Sequence, residues 1–299
     1  MPPADPGPAG PGGDVRVVTT QLLRAWAPVE PDDGGDKHSR GTVAVVGGGT
    51  STPGAVLLAG LAALRVGAGR LQVITVDTTS VALGVSLPEA MVSGLRADGH
   101  GSICPDTADE LLDTLGGAGT VVLGPGLSGD GVPLLLERLL PRLGDDVTLV
   151  LDAVALTALA KAPQLLEPLA DRTVLTPNSG ELAALLDGQQ LEEHEACTAV
   201  VRRYGAVVSG RGWVMAPDGR TWRDEAGGIG LGTSGSGDVL AGLVGGMLAR
   251  GAEPAQAAVW GQYLHAAAGD RLSAQLGRMG FLARELLDEV PRVLTTLRP

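Results

Sequence analysis

The chain is poor in aromatic residues and cysteine, and it has no long apolar run. Its 299 residues include four Trp, two Tyr and one Phe, so a hydrophobic content of 44% must build the core mainly from aliphatic side chains. Cys104 and Cys197 form no Cys-x-x-Cys motif, and two cysteines fit a reducing compartment, although a disulfide between them stays open. No stretch reaches the ~18 apolar residues that span a bilayer, which argues against a membrane protein.

Basic residues are also scarce, and the formal net charge is −12. An acidic chain argues against nucleic acid or an anionic membrane as a partner, because both favour a basic surface. The four histidines are scattered without a pair at metal-ligand spacing, so metal ligands stay unassigned. Residues 1–14 lack the features of a signal peptide, and their Pro/Gly-rich composition predicts a disordered tail. We therefore expect a cytoplasmic protein with a single domain over residues 15–299.

Aliphatic runs that end in glycine or polar turns alternate along the chain with helical patterns. The predicted strands cover residues 42–46, 71–76, 120–123, 148–151, 173–175 and 206–208, with a hairpin of 213–215 and 220–222. The predicted helices cover residues 54–66, 106–115, 131–142, 155–161, 180–187, 191–204, 238–250, 254–276 and 281–289. This alternation is typical of right-handed β-α-β units, and it predicts an α/β fold with helices on both faces of a central, mostly parallel sheet.

The sequence Gly-Thr-Ser-Gly-Ser-Gly-Asp at residues 232–238 runs directly into an apolar helical pattern. A helix start offers unpaired backbone N–H groups, and glycines let the backbone approach an anion closely, so this segment indicates a phosphate site. The segment is not a P-loop, because Asp238 and Val239 stand where that motif requires Lys and Ser/Thr. A carboxylate beside a phosphate indicates a base or a metal ligand, whereas a plain helix cap is the structural alternative.

Polar or glycine-rich turns follow the predicted strands, and the carboxyl ends of parallel strands meet at one edge of a sheet. The turns expected at this edge are residues 47–49, 124–126, 152, 177–181 and 209–210. Each turn by itself also fits a purely structural role as a strand end or helix cap. The first turn departs from the dinucleotide-binding fingerprint, because Thr52 stands where its third glycine belongs. Only the convergence of these turns at one edge favours a ligand site.

Taken in order, these motifs resemble those of the ADP- or ATP-dependent NAD(P)H-hydrate dehydratase family in the ribokinase-like superfamily. The resemblance extends from about Lys37 to Asp288 and rests on residues 37–48, 54–55, 64–69, 88–92, 124–127, 175–181 and 237–242. It implies a three-layer α/β/α ribokinase-like fold and a homotetramer.

The resemblance also implies an activity, which is the repair of NADH and NADPH whose nicotinamide ring has added water. The partners implied are the hydrated dinucleotide, ADP or ATP as co-substrate, and Mg²⁺. The nucleotide would phosphorylate the ring hydroxyl, and elimination of phosphate would regenerate NAD(P)H. Phosphorylation matters because phosphate is a better leaving group than hydroxide.

Site residues follow from the resemblance, motif by motif. Asp238 would be the catalytic base. The hydrated nicotinamide nucleotide would contact Ala55, Gly126, Asn178 and Asp238. The adenine nucleotide would contact Ser209, Gly210, Arg211, Gly212, Trp213, Gly235, Ser236 and Gly237.

Three positions depart from the family's usual pattern. Val154 replaces the second acid of Asp-Ala-Asp, Asn178 replaces a histidine, and Ser209 replaces a lysine that helps to bind phosphate. Arg211 is a candidate substitute for that lysine. Two alternatives therefore stay open: a small-molecule kinase acting on a sugar or hydroxymethylpyrimidine alcohol, and a divergent nucleotide-binding protein without catalytic activity.

Overall fold

The computed structural model describes residues 15–28 and 40–297. The predictions for residues 1–14 and for Lys37 lie outside these ranges. Within them, one sheet contains ten strands: β1 (Val15–Val17), β2 (Thr42–Val46), β3 (Arg70–Val76), β4 (Ala90–Leu95), β5 (Thr120–Leu123), β6 (Thr148–Leu151), β7 (Thr173–Leu175), β8 (Val207–Gly210), β9 (Trp213–Met215) and β10 (Thr221–Arg223).

The α-helices of the described residues are α1 (Thr20–Ala25), α2 (Pro53–Arg65), α3 (Asp77–Ser86), α4 (Ala108–Leu115), α5 (Val132–Leu139), α6 (Val154–Leu159), α7 (Ser179–Leu185), α8 (Glu193–Tyr204), α9 (Ser236–Ala249), α10 (Pro254–Leu276) and α11 (Ala283–Leu297). Short 3-10 segments cover Pro105–Thr107, Leu140–Arg142, Pro163–Arg172 and Ile229–Leu231.

The sheet has the strand order β1-β10-β9-β8-β7-β6-β5-β2-β3-β4. All strands from β8 to β4 in this order run parallel to their neighbours, whereas β9 is antiparallel to both β8 and β10. Strand β1 adds to β10 in parallel. The prediction of a central, mostly parallel sheet is therefore confirmed.

Two aliphatic clusters cover the two faces of the sheet. Side chains alternate between faces along each strand, and in β2 Val43 and Val45 join one cluster while Ala44 and Val46 join the other. The first cluster packs against α2, α9, α10 and α11, and the second against α4 to α8. Helices on both faces make three α/β/α layers, and they explain why the strands are continuous apolar runs.

Pattern reading missed two elements at one edge of the sheet, α3 and β4. Helix α3 begins with Asp-Thr-Thr-Ser, which are weak helix formers, and has Leu83 as its one buried residue. Val81 and Val85 of α3 are 79% and 80% exposed, so no apolar stripe faces the core. The signal on which a helix prediction depends is therefore absent there.

The last helix is longer than the predicted 281–289 because it continues through Pro291 to Leu297. A proline inside a helix normally marks its end, since the ring removes an N–H and crowds the preceding turn. Here Leu286, Val290, Val293 and Leu297 continue one buried face across the proline. Burial of this face outweighs the local cost.

Both cysteines are free and buried, so the disulfide that the sequence left open does not form. Of the helices described, none has the length and apolar character needed to cross a membrane.

Helix α9 lies unusually close to its neighbours because glycines face them. A Cβ on Gly242 would overlap the carbonyl group of Ala59 in α2, and one on Gly246 would overlap Val66. Such contacts leave no room for side chains between the two helices. They set the position of α9, whose first turn contains the predicted phosphate site.

Replacing Gly242 with Ala should destabilise the protein by about 3 kcal/mol, because the added methyl group must displace the backbone of α2. The matched control is Gly84→Ala in α3, where the new Cβ meets only Val92 at 3.9 Å. That control should be neutral or stabilising by about 0.5 to 1 kcal/mol, since Ala favours the helix. Urea unfolding of both variants measures the difference. Equal stability of the two variants would contradict the close-packing argument.

Candidate active site

Four of the turns predicted to share one edge of the sheet do so, whereas residues 209–210, predicted as a fifth turn, are the last two residues of β8. The residue that follows each of four parallel strands donates its backbone N–H to a carbonyl group at or near the end of a neighbouring strand: Gly47 to Ile74, Gly124 to Val46, Asp152 to Leu123 and Thr176 to Leu151. The distances are 3.0 to 3.1 Å. This ladder brings the four turns into register along the carboxyl edge of the sheet.

The floor of this edge is made of small residues from the β2–α2 and β5–α5 turns. The Gly48 N–H donates to the carbonyl of Pro125 at 2.7 Å, and the Thr52 hydroxyl donates to the carbonyl of Gly126 at 2.8 Å. A Cβ on Gly126, whose φ is +70°, would lie 2.8 Å from the Cβ of Ala55. The structure therefore brings together Ala55 and Gly126, two of the residues predicted to contact substrate.

Asp152 is the most buried carboxyl group of this edge, with 5% of its surface exposed. Burial raises the pKa of Asp152 to about 8, and the nearby carboxylates of Glu181 and Asp238 contribute in the same direction. The Thr176 hydroxyl donates to Asp152 Oδ1 at 2.8 Å, which opposes these effects in part. Asp152 therefore keeps its proton near neutral pH in the unliganded protein.

The backbone beside Asp152 is strained. Ala153 has a φ of +52°, a conformation that residues with a Cβ seldom adopt. Val154, which replaces the second acid of the family pattern, is the next residue and starts α6. Strain of this kind persists where the surrounding structure imposes it, and it concentrates at functional sites.

Asn178 and Glu181 form a reciprocal cap at the start of α7. The Glu181 N–H donates to Asn178 Oδ1 at 3.0 Å, and the Asn178 N–H donates to Glu181 Oε2 at 2.9 Å. Burial also raises the pKa of Glu181. The structure thus gives exposed Asn178 a capping role, and its contact with substrate stays a prediction.

The glycine-rich segment ends in the first turn of α9 without a side-chain cap. Gly235 occupies the cap position with a φ of +88°, and the Ser236 N–H donates to the Thr233 carbonyl at 3.2 Å. The N–H groups of Gly237 and Asp238 lie in the turn where a helix supplies no acceptor of its own. Half-buried Asp238 stands beside them, and burial raises the pKa of its carboxyl group to about 6.

The segment predicted to bind the adenine nucleotide begins with the last two residues of β8, Ser209 and Gly210, and ends at Trp213, the first residue of β9. Ser209 is 1% exposed, and its hydroxyl donates to Gln262 Oε1 of α10 at 3.0 Å. Gly210 packs against the sulfur of Cys197, which leaves no space for a side chain. The Ser209 hydroxyl therefore makes its hydrogen bond inside the core. Since Ser209 stands where the family has a lysine, this position contributes no positive charge to the carboxyl edge of the sheet.

The rest of the same segment consists of exposed Arg211 and half-buried Gly212 and Trp213. The Arg211 N–H donates to Glu193 Oε1 at 2.8 Å. The Trp213 ring lies between the guanidinium group of Arg223, 4.8 Å from its centroid, and the ring of His194 at 4.6 Å. Sequence reasoning missed Arg223, because only the pairing of β9 with β10 brings it beside Trp213.

His265 and Thr176 are further residues that the sequence reasoning did not assign to the site. His265 lies in α10 with its Nε2 at 2.8 Å from the hydroxyl of Ser236. The one available signal for His265 was a polar residue within an Ala-rich helical pattern. Thr176 directly follows β7, so its position at the carboxyl edge was predictable but its bond to Asp152 was not.

Among residues 15–28 and 40–297, no group of three His, Cys, Asp or Glu side chains is arranged to hold a metal ion. A cavity of about 740 Å³ lies away from the carboxyl edge, lined in part by Arg40, Arg65 and Arg250. Arg65 and Arg250 stand at the carboxyl ends of α2 and α9, whereas the candidate site uses the opposite end of α9. This cavity contains none of the predicted site residues.

Comparisons with known proteins agree with this geometry. The family model described as NAD(P)H-hydrate dehydratase matches residues 43–292. An ADP-dependent (S)-NAD(P)H-hydrate dehydratase of Xanthomonas campestris is 42% identical over 296 residues, which cover 96% of this chain and 98% of that protein. A bifunctional NAD(P)H-hydrate repair enzyme of Moorella thermoacetica is 36% identical, and the match covers 94% of this chain but 54% of that enzyme. The chain thus spans nearly all of the first relative and about half of the second.

Solved structures give the same fold. An ADP/ATP-dependent NAD(P)H-hydrate dehydratase from Bacillus subtilis, co-crystallised with ATP/Mg²⁺, superposes with a TM-score of 0.76 at 28% identity, covering 95% of this chain and 99% of that one. A ribokinase-like superfamily protein of Enterococcus faecalis has a TM-score of 0.79 at 24% identity, covering 95% and 96%. The prediction of a ribokinase-like fold is confirmed.

Replacing Asp152 with Asn should stabilise the unliganded protein, increasingly so as the pH rises. The folded-state pKa of Asp152, about 8, exceeds the unfolded value of 3.8. Between these values the unfolded chain releases the proton and the folded chain keeps it, so wild-type stability falls with rising pH. The gain in Tm for Asp152→Asn should therefore be larger at about pH 8.5 than at about pH 5.5.

The matched control for this measurement is Asp113→Asn, an exposed position in α4. Its effect on Tm should be similar at both pH values. Differential scanning calorimetry of both variants without ligand is sufficient. An Asp152→Asn effect that does not change with pH would show that Asp152 is ionised in the folded protein.

Proposed function

We propose that the chain, which belongs to the NAD(P)H-hydrate dehydratase family, removes water from hydrated NADH and NADPH in a reaction that consumes ADP or ATP. The observation that carries this proposal is the uncapped first turn of α9, where free amides adjoin the half-buried carboxyl of Asp238. An anion cradle next to a base is what transfer of a phosphoryl group to a hydroxyl requires. The protein is accordingly a lyase of the carbon–oxygen class.

Asp238 takes the proton from the ring hydroxyl as that oxygen attacks the terminal phosphoryl group of the nucleotide. The bond from this phosphorus to the bridging oxygen breaks, and the shortened nucleotide leaves with the electron pair. The amides of Gly237 and Asp238 hold the charge of the phosphoryl group in transit. The lone pair of the ring nitrogen then expels phosphate, and loss of a proton from the adjacent ring carbon restores the dihydronicotinamide.

The hydrated ring is proposed to rest on the small-residue floor of Ala55 and Gly126, with Asn178 at its edge. Their close approach supports this assignment, because a Cβ on Gly126 would lie 2.7 Å from the Thr52 carbonyl oxygen and 2.8 Å from the Cβ of Ala55, so this position is kept free of a side chain. Small residues also let backbone atoms approach a ligand closely.

The nucleotide is proposed to occupy the other side of Asp238, along Ser209, Gly210, Arg211, Gly212 and Trp213. Its phosphates would extend to Gly235, Ser236 and Gly237. Ser209 would contribute its backbone, because its hydroxyl is bonded to Gln262. Arg211 belongs to this segment, and the guanidinium group of Arg223 lies 4.8 Å from the centroid of the Trp213 ring. These two cations would replace the charge of the family's lysine.

Mg²⁺ would accompany the phosphates of the nucleotide and neutralise part of their charge. The carboxyl groups of Asp152 and Glu181 fit such an ion, because the pKa of each is raised and each would gain from a nearby cation. Mg²⁺ commonly uses one or two carboxylates together with phosphates and water, so a ready-made three-residue site is not needed. Support from a relative comes from the Bacillus subtilis enzyme that was co-crystallised with ATP/Mg²⁺.

The names of the relatives favour dehydration over a small-molecule kinase, and that of the Xanthomonas protein favours ADP. A cytoplasmic location is also proposed. Its support is that Cys104 and Cys197 remain free, and cell fractionation tests it.

Replacing Asp238 with Asn should lower kcat/KM for the hydrate by about 100- to 10,000-fold, since the general base is lost. For the wild type, kcat/KM should rise about tenfold per pH unit up to about pH 6, the pKa of Asp238, and then level off. The recovery of reduced-nicotinamide absorbance from the hydrate, with ADP or ATP and Mg²⁺, measures both effects.

Calorimetric binding of ADP to the Asp238→Asn variant is the control, because it shows that the site is still folded. Full activity of this variant would exclude Asp238 as the base. A wild type that binds ADP but converts no hydrate would support the non-catalytic alternative, and a stable phosphorylated alcohol product would support the kinase.

A homo-oligomer, tetrameric as in the family, is proposed to form through α3 and the edge strand β4. Val81, Val85 and Met91 are exposed there, at 79%, 80% and 49%. Val85→Glu should lower the mass measured by light scattering, because a charge would be buried in the interface. Leu134→Glu in α5 is the control and should leave the mass unchanged. A monomeric wild type would contradict the proposal.

A further inference from the structure

Ser236 and His265 form a pair directly behind the proposed phosphate site. Ser236 is the first residue of α9, is 4% exposed, and has its hydroxyl 2.8 Å from Nε2 of His265. This contact therefore holds one residue of the first turn. The mechanism described above does not use either side chain.

Ser236 is flanked by two residues without a side chain, Gly235 and Gly237. Glycine has the greatest backbone freedom of all residues, so the peptides on both sides of Ser236 are easily rotated. On one side, Gly235 is confined, because a Cβ there would lie 2.6 Å from Leu58 and 3.3 Å from Ala283. On the other side, Gly237 is exposed, and a Cβ added there would have no heavy atom within 4 Å. The hydrogen bond between the Ser236 hydroxyl and His265 thus orients the peptide that leads to Asp238.

His265, which makes this contact, lies in a part of α10 that is packed closely against α9. A Cβ on Gly261, one turn before His265 in α10, would lie 2.7 Å from the side chain of Val244 and 3.1 Å from its backbone nitrogen. This contact brings α10 close to α9 in the turns next to Ser236 and His265. Burial lowers the pKa of His265 to about 4. The ring is therefore neutral over the range in which Asp238 is ionised, and it anchors Ser236 without placing a second charge beside the phosphates.

We propose that His265 is a positioning residue, which acts through Ser236 to orient the amides of Gly237 and Asp238 toward the terminal phosphoryl group. The inference rests on the proposed function for its effect on turnover. The effect on nucleotide binding is independent of the proposed function, since the same amides would hold the terminal phosphate of bound ADP. Misorientation of such donors affects the transition state strongly, where phosphoryl charge is in transit.

The test uses His265→Leu, Ser236→Ala and the double variant. Each should lower kcat by about 10- to 100-fold and leave KM for the hydrate within about threefold. The double variant should be no worse than the more impaired single variant, because both changes break the same contact. His265→Gln keeps a polar group near the position of Nε2 and should regain part of the lost kcat.

The second measurement is the affinity for ADP and for AMP by calorimetry. His265→Leu should weaken ADP by about fivefold or more and leave AMP unchanged, because AMP lacks the phosphate that the cradle holds. Gln256→Leu is the matched control, since it removes another buried polar side chain from α10, whose amide donates to the Trp26 carbonyl at 3.0 Å. This control should lower Tm without changing kcat or the ADP-to-AMP ratio of affinities.

A His265→Leu variant with lower Tm but wild-type kcat and wild-type ADP affinity would overturn the inference and leave the pair a purely structural role. So would additive losses in the double variant. A wild type that converts no hydrate would overturn the proposed function instead. In that case the comparison of ADP with AMP still decides the role of His265, because it needs no turnover.

Discussion

The close contact of α9 with α2 and α10 is the constraint on which the site depends. Gly242 and Gly246 let α9 reach the backbone of α2, and Gly261 lets α10 reach α9 from another side. The three helices therefore behave as one packed unit, since no flexible side chain separates their backbones. The start of α9 is carried by this unit to the carboxyl edge of the sheet. The amides near Asp238 owe their position to packing that lies one to three turns away.

The carboxyl edge brings several carboxyl groups together in a chain that is already acidic. Burial raises the pKa of Asp152, Glu181 and Asp238, so each group costs stability when it ionises in the absence of a ligand. A cation or an amide donor brought near them relieves this cost. The arrangement is therefore poorly suited to stabilising the fold and well suited to binding a phosphate with its counter-ion. Perturbed carboxyl groups gathered in this way are typical of functional sites.

The three departures from the family's usual residues have different structural consequences. Ser209 is bonded to Gln262 inside the core, and Asn178 caps α7, so both side chains have acquired local partners. Val154 simply begins α6 after the strained Ala153. None of these substitutions alters the first turn of α9, where the chemistry is proposed to occur. The proposed base and the amides beside it are therefore kept.

The sequence by itself determined the alternation of strands and helices, the parallel sheet and the position of Asp238 at a glycine-rich helix start. These depend on apolar periodicity and turn residues, which act over a few neighbouring positions. Helix α3, the edge strand β4 and the passage of α11 through Pro291 were decided by the tertiary structure. Strand β4 is held by its pairing with β3, and α3 connects these two strands. In α11, burial of one face outweighs the local effect of the proline. The same holds for the bonds of Thr176 to Asp152 and of Ser236 to His265, whose partners are 24 and 29 residues apart. Local preference does not specify such pairs, since only the packing of whole helices and strands brings them within hydrogen-bond distance.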